Sequence, residues 1–289
     1  MSPDSMVYLN GQFVPLADAK VSVFDRGFLF GDGVYELIPV YSRRPFRLQE
    51  HLRRLANSLQ AIQLANPYHD AQWQSLIEQL IAYHPYEDQS LYIQVTRGVA
   101  LRDHRFPPTN TPATVFLFSA PLTTPPDTQR AQGVEAVSAT DNRWLRCDIK
   151  AVALLANVLL RQQAVEAGVV ETLLFRDGFL TEGAASNIFM VKNGILLAPP
   201  PSHIMLTGIT YDVVLELARQ HHIPHQVREI LATEVFAADE VWMTSSTKEI
   251  LPIVRLDDKP IGTGEVGSLF KQMYQHYQDF KATVMRQNT

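Results

Sequence analysis

The chain has 289 residues, of which 46% are hydrophobic and 19% charged, and a formal net charge of −5. Such a chain buries a sizeable core, and its acidic balance argues against a nucleic-acid-binding surface. No apolar stretch exceeds Ala151 to Leu160, too short to span a membrane, and the single cysteine, Cys147, excludes an internal disulfide framework.

Val7-Tyr8-Leu9 and Phe13-Val14 flank Asn10-Gly11, a hairpin signal. Val34 to Tyr41, rich in β-branched and aromatic residues, predicts another strand. From Arg47 to Leu64 the spacing becomes helical, with Leu48, Leu52, Leu55, Leu59 and Ile62 on one face. A second amphipathic helix covers Ala71 to Tyr83 and stops before Pro85. Strands resume at Leu91 to Thr96 and Thr114 to Phe118, giving an α+β first domain over residues 1–120. Between those strands, Gly98 to Pro112 is polar and proline-bearing, the kind of long connection that is functional or mobile. Ala120 to Gly133 reads as irregular, with an interdomain linker at 121–133.

The second domain, 134–289, alternates more. Strands are expected at Val134 to Ser138, Glu171 to Phe175, Asn187 to Val191 paired with Ile195 to Ala198, His225 to Ile230 and Glu240 to Thr244. Helices are expected at Ala151 to Ala167, Gly208 to His221 and Gly264 to Lys281. Nothing near Met1 reads as a secretory signal, so a soluble cytoplasmic protein without membrane or nucleic-acid partners is expected.

Two residues carry the chemistry. Lys150 ends Arg146-Cys147-Asp148-Ile149-Lys150 and leads into the apolar run Ala151-Val152-Ala153-Leu154-Leu155, predicted to be a largely buried helix. A partly buried lysine amine is a usable nucleophile. Glu182, in Thr181-Glu182-Gly183-Ala184-Ala185-Ser186-Asn187, is expected from a turn, where its carboxylate could hold a proton on a heterocyclic nitrogen. An amine for an aldehyde and an acid for a ring nitrogen are the two handles pyridoxal phosphate needs. Alone, each residue is more often a solvated surface group.

Those two motifs together resemble the fold-type IV pyridoxal-phosphate enzymes, the class IV aminotransferases, over about Val7 to Lys271. The resemblance implies a smaller N-terminal α/β sandwich-like domain and a larger C-terminal pseudo-barrel α/β domain. It implies pyridoxal 5'-phosphate as cofactor, joined to Lys150 through a Schiff base, with Glu182 on its pyridinium nitrogen. Gln49-Glu50-His51-Leu52-Arg53-Arg54-Leu55 resembles the family's phosphate-binding helix, which gives that role to Arg54. Thr207-Gly208-Ile209-Thr210 opens a helix whose N-terminus suits an anion. By resemblance, Ile209, Thr210 and Ser246 complete the phosphate site and Leu206 packs on the ring. No metal site is expected.

The substrate rests on other residues. Arg102 and His104 stand two apart in an extended loop and point the same way, each able to donate to a carboxylate. Within the family, this Arg-x-His pair with Tyr35 at a strand start is the pattern of the D-amino acid aminotransferases. That implies a carboxylate trap of Tyr35, Arg102 and His104, with the loop lent by the neighbouring subunit of a homodimer. The expected reaction is ping-pong amino transfer from a D-amino acid such as D-alanine to a 2-oxo acid such as 2-oxoglutarate. The alternatives are a branched-chain L-amino acid or (R)-amine transaminase and, further off, an aminodeoxychorismate lyase. Ala184 and Ala185 stand where one member of the subgroup carries serines, and Pro39 where that member carries lysine.

Overall fold

The computed structural model describes residues 2–286 and divides into two compact units. The first takes the chain to Thr123 together with Ile149–Leu154; the second takes Thr124–Asp148 and the chain from Leu155 onward.

In the first unit, β1 (Met6–Leu9) and β2 (Gln12–Pro15) form the expected hairpin. Asn10 and Gly11 both take positive φ, 48° and 96°, as a two-residue hairpin turn with the native strand twist requires. A short helix, α1 (Arg26–Phe30), follows. β3 (Gly33–Tyr41), β4 (Arg44–Pro45), β5 (Gln89–Thr96) and β6 (Thr114–Pro121) complete an antiparallel sheet in the order β2-β1-β6-β5-β3-β4. Strand alternation sends Val34, Ile38 and Val40 of β3 and Leu91, Ile93 and Val95 of β5 to one face. Two amphipathic helices, α2 (Leu48–Ala61) and α3 (Asp70–Tyr83), cover that face with Leu52, Leu55, Leu59, Trp73, Ile77 and Leu80. Burial of each such side chain contributes about 1.5–3 kcal/mol, which holds the layers together.

The second unit opens with α4 (Asp127–Gln132) and β7 (Val134–Thr140), then α5 (Leu155–Glu166) crosses to β8 (Glu171–Arg176), parallel to β7. β9 (Phe179–Gly183), β10 (Asn187–Lys192) and β11 (Ile195–Ala198) follow as successive strands. α6 (Ile209–Gln220), β12 (His225–Val227), α7 (Ala232–Phe236), β13 (Glu240–Ser245), β14 (Glu249–Leu256), β15 (Lys259–Pro260) and α8 (Ser268–Phe280) complete it. The strand order is β12-β11-β10-β13-β14-β7-β8-β9, with β15 on β14. β9 and β10 lie far apart in that order, about 24 Å at ~4.8 Å per strand on a flat sheet. Yet only Ala184, Ala185 and Ser186 join them, and Gly183 N donates to Ser186 O at 2.7 Å. Three residues reach ~10 Å, so the sheet curls back on itself, as the pseudo-barrel expectation requires. Its core gathers Leu173, Ile188, Met190, Val241, Met243 and Ile253.

Four local expectations are corrected. The helix read from Ala151 begins only at Leu155, and Lys150 lies in an extended segment. There Ala151 bridges Val34, Tyr35 N donates to Lys150 O at 2.9 Å, and Val152 N donates to Gly33 O at 3.0 Å. Strand pairing to β3 wins over the helical propensity of an alanine-leucine run. Nor is α5 largely buried: Leu155, Val158 and Leu159 are exposed, and only Leu160 and Ala164 face inward. Glu182 lies within a strand, β9, rather than a turn. The stretch Ala120 to Gly133 is not wholly irregular, since it contains the end of β6 and the helix α4.

Candidate active site

Lys150 is placed by its neighbours. Ile149 and Ala151 bury in the first unit's core, so the alternation of an extended chain turns Lys150 to the opposite face. Its ammonium lies over the Tyr35 ring, 4.2 Å from the centroid, and its backbone N–H donates to Ser58 Oγ at 3.3 Å. Tyr35 leaves β3 on that same face, one residue from Val34, which pairs with Ala151.

Glu36 follows Tyr35 and therefore faces the core, where it is fully buried. Such a charge requires partners, and α2 supplies two. Arg54 donates through Nε to Oε2 at 3.0 Å and through Nη2 to Oε1 at 2.5 Å, while His51 Nδ1 lies 3.1 Å from Oε1. Burial alone would raise the Glu36 carboxyl, but Arg54 and His51 hold it well below the usual range. Burial lowers His51 and keeps it neutral, and its Nε2 is buried without a hydrogen-bond partner. Arg54 is thus aimed by a fixed anion, whereas Arg53 is exposed.

Arg102 and His104 project from the loop between β5 and β6, and both are exposed. The structure brings them together on one aromatic ring. Phe30 lies 5.4 Å from the Arg102 guanidinium carbon and 5.5 Å, ring to ring, from His104.

In the second unit, β9 delivers Glu182 into a buried polar knot. Arg143 Nη1 donates to Oε1 at 2.5 Å, Asn187 Nδ2 to Oε2 at 3.3 Å, and the Leu206 amide to Oε2 at 3.2 Å. Burial nevertheless pushes the Glu182 carboxyl up to about 7, Arg143 opposing. Asn187 also donates to Leu206 O at 2.8 Å and accepts from Gly208 N at 3.0 Å, tying Glu182 to the start of α6. Gly208 is needed for that approach, because a Cβ there would stand 2.4 Å from Asn187 Oδ1. α6 begins without a side-chain cap, with Ile209 and Thr210 as its first residues, both buried. Across from Asn187, Thr244 pairs on β13, and its hydroxyl is buried without a partner; Ser246 lies two residues on, in the turn to β14.

This arrangement fits a phosphorylated pyridine cofactor. An uncapped helix start presents N–H groups to an anion, and an acid poised near neutrality suits a basic ring nitrogen. Ala184 is buried and Ala185 exposed, so neither adds a hydroxyl to the turn; Pro39 is buried in β3. Arg143 and Asn187, which orient Glu182, had no assigned role in the sequence. Only the fold reveals that Arg143 meets Glu182, 39 residues away. Among the described residues no helix is long and apolar enough to cross a membrane.

Known proteins point the same way. A family model for class IV amino-transferases matches residues 33–256. The chain is 38% identical to the D-alanine aminotransferase of Bacillus licheniformis over 267 residues, 92% of this chain and 94% of that protein. It is 36% identical to that of Staphylococcus aureus (strain N315) over 95% of this chain and 97% of that one. Among solved structures, the branched-chain amino acid aminotransferase of Escherichia coli superposes with a TM-score of 0.89 at 25% identity, covering 99% and 97% of the two chains. A second branched-chain amino acid aminotransferase, from T.th. and complexed with N-(5'-phosphopyridoxyl)-L-glutamate, gives 0.87 at 26% identity over 98% and 95%.

Proposed function

The chain belongs to the class IV aminotransferases, and from that premise we propose that it moves amino groups between D-amino acids, D-alanine first, and 2-oxo acids. The observation that carries the substrate reading is the convergence of Arg102 and His104 on the Phe30 ring. Two donors steadied on one rigid surface suit the planar geometry of an α-carboxylate. The near full-length likeness to proteins named D-alanine aminotransferase supports the same choice.

Pyridoxal 5'-phosphate, when bound, supplies an aldehyde for attachment and an electron-withdrawing ring that makes the substrate Cα–H acidic. Lys150 would hold the aldehyde carbon, and its amine would move the proton at the substrate Cα. Glu182, oriented by Arg143 and Asn187, keeps a proton on the ring nitrogen. Arg54, the amides of Ile209 and Thr210 and the Ser246 hydroxyl hold the phosphate, and Leu206 packs on the ring. Tyr35, Arg102 and His104 hold the carboxylate and so decide which face of Cα meets the lysine. A homodimer is supported by the exposed apolar side chains Phe28, Leu101, Leu155, Val158 and Leu159. A cytoplasmic setting is supported by the one free cysteine, Cys147, buried and pushed up to about 11 by that burial.

The test is a half-reaction screen. D-alanine, L-leucine and (R)-1-phenylethylamine are added separately to holoenzyme while the cofactor absorbance is followed. Conversion by D-alanine is expected; conversion by L-leucine alone would transfer the assignment to a branched-chain transaminase.

A further inference from the structure

The loop carrying Arg102 and His104 has little beneath it. Residues 98–112 form no helix and no strand beyond a bridge at Val99, and their inner side opens on a pocket of about 480 Å³ lined by Arg26, Val99, Leu101, Phe106, Pro107 and Thr111. Apolar packing under such a loop is sparse, so polar bonds must set its shape. They converge on Arg26, which is only 3% exposed.

One nitrogen of Arg26, Nη1, donates to the carbonyl oxygens of Asp103 at 2.7 Å and Arg105 at 3.3 Å. These are the residues on either side of His104. Nε of the same guanidinium donates to Asp32 Oδ2 at 2.8 Å. That oxygen also accepts from Arg97 Nε at 2.8 Å, and the Arg97 guanidinium lies 3.9 Å from the centroid of the Phe106 ring. Arg97 is anchored in turn on the carbonyls of Ile62 at 2.6 Å and Gln63 at 3.1 Å, beyond the end of α2. The backbone joins in: Arg26 N donates to Gly98 O at 2.8 Å, and Ala100 N to Phe24 O at 3.2 Å. Finally, Phe30, four residues along α1, carries the Arg26 guanidinium 4.8 Å from the same ring that meets Arg102 and His104.

We infer that Arg26, held by Asp32, is a specificity-determining positioning residue: it fixes the peptide on both sides of His104, so that Arg102 and His104 meet the substrate carboxylate as a preformed pair. This rests on the carboxylate-trap reading above. Arg26 touches no substrate itself. Its contribution is to remove the ordering that a free loop would otherwise undergo on binding. Only an arginine can serve, because a lysine has a single nitrogen for a carboxylate and two carbonyls placed in different directions.

The experiment compares holoenzymes carrying Arg26→Lys, Arg26→Gln, Arg102→Ala and the Arg26→Lys/Arg102→Ala pair. Both Arg26 variants should raise KM for D-alanine at least about tenfold while kcat and cofactor affinity stay within about threefold. The pair should raise KM little beyond Arg102→Ala alone, since Arg26 acts through Arg102 and His104. A merely structural role would instead lower kcat and cofactor affinity together, and would add to the Arg102 effect. If Arg26→Gln fails to fold, Arg26→Lys decides alone, provided its melting temperature is near that of the parent. If Arg102→Ala raises KM and Arg26→Lys does not, the positioning role is overturned and the trap stands. If Arg102→Ala leaves KM unchanged, the trap reading falls and takes this inference with it.

Discussion

Replacing Glu182 by glutamine in the cofactor-free protein tests whether this buried acid carries a proton near neutrality. Its carboxyl is pushed by burial from an ordinary 4.5 up to about 7. A group raised in the folded state stabilises fully below its unfolded value, and that stabilisation is lost as pH rises through the folded one. Over that window the loss is about 3 kcal/mol, from ~1.4 kcal/mol per pH unit. Glutamine keeps the size and has no titration. It leaves Arg143 two good bonds to Asp141, Nε to Oδ1 and Nη2 to Oδ2, both at 2.9 Å. The constant cost of mismatched amide hydrogens cancels when one variant is followed across pH. Urea unfolding at pH 5 and pH 8 should therefore show the parent's advantage over Glu182→Gln shrinking by about 2.5 kcal/mol at the higher pH, part of the loss having already occurred by pH 5. An advantage constant across the range, or larger at pH 8, refutes the reasoning and makes Glu182 a permanently ionised partner of Arg143.

Lys150→Ala should abolish transamination and prevent borohydride from fixing the cofactor to the protein, the latter read by mass spectrometry of the reduced holoenzyme. Gly208→Ala places a carbon 2.4 Å from Asn187 Oδ1, so the carboxamide must move; cofactor affinity should fall about tenfold, consistent with ~1–3 kcal/mol for overpacking, as measured by fluorescence titration. On α5, Val158→Glu with Leu159→Glu charges an exposed apolar face; if that face is covered by a second copy, sedimentation should show monomers where the parent shows dimers.

The elements legible in the sequence were those whose cause is local. Asn10-Gly11 dictates its own turn, and the leucine spacing of α2 and the alternation of β3 and β5 declare their faces. Residues 149–154 were not legible, because what makes them extended is the edge of β3, more than a hundred residues earlier, accepting and donating backbone bonds. The same holds for Glu182: a Thr-Glu-Gly sequence suggests a turn, and only the β8 pairing that sets Leu173 opposite Gly183 makes it a strand. Among the candidate site residues, Lys150 and Glu182 are legible through their motifs. Arg26 was not, since its effect depends on carbonyls 77 and 79 residues away, and carbonyls leave no mark in a sequence.

Two of the buried glutamates, Glu36 and Glu182, show why one acid stays charged and the other holds a proton. Glu36 receives both arms of the Arg54 fork and a His51 ring, with the Leu37 amide donating to Oε1 at 3.0 Å besides. Its charge is matched, so it stays ionised and serves to aim Arg54. Around Glu182 the cation is divided. Arg143 gives Nε and Nη2 to Asp141, whose carboxylate also takes Arg176 at 3.1 Å and the Thr181 hydroxyl at 2.9 Å, and leaves only Nη1 for Glu182. Burial raises Asp141 too, but the Arg143 hydrogen bonds outweigh it and Asp141 ends below its ordinary value. The shortfall in ionic hydrogen bonds therefore falls on Glu182, which has a single arm of Arg143 against the cost of its burial. A protonated ring nitrogen would meet that shortfall. The sharing of Arg143 with Asp141 is thus what would make Glu182 a receptive partner for the ring in the proposed site, rather than a finished salt bridge.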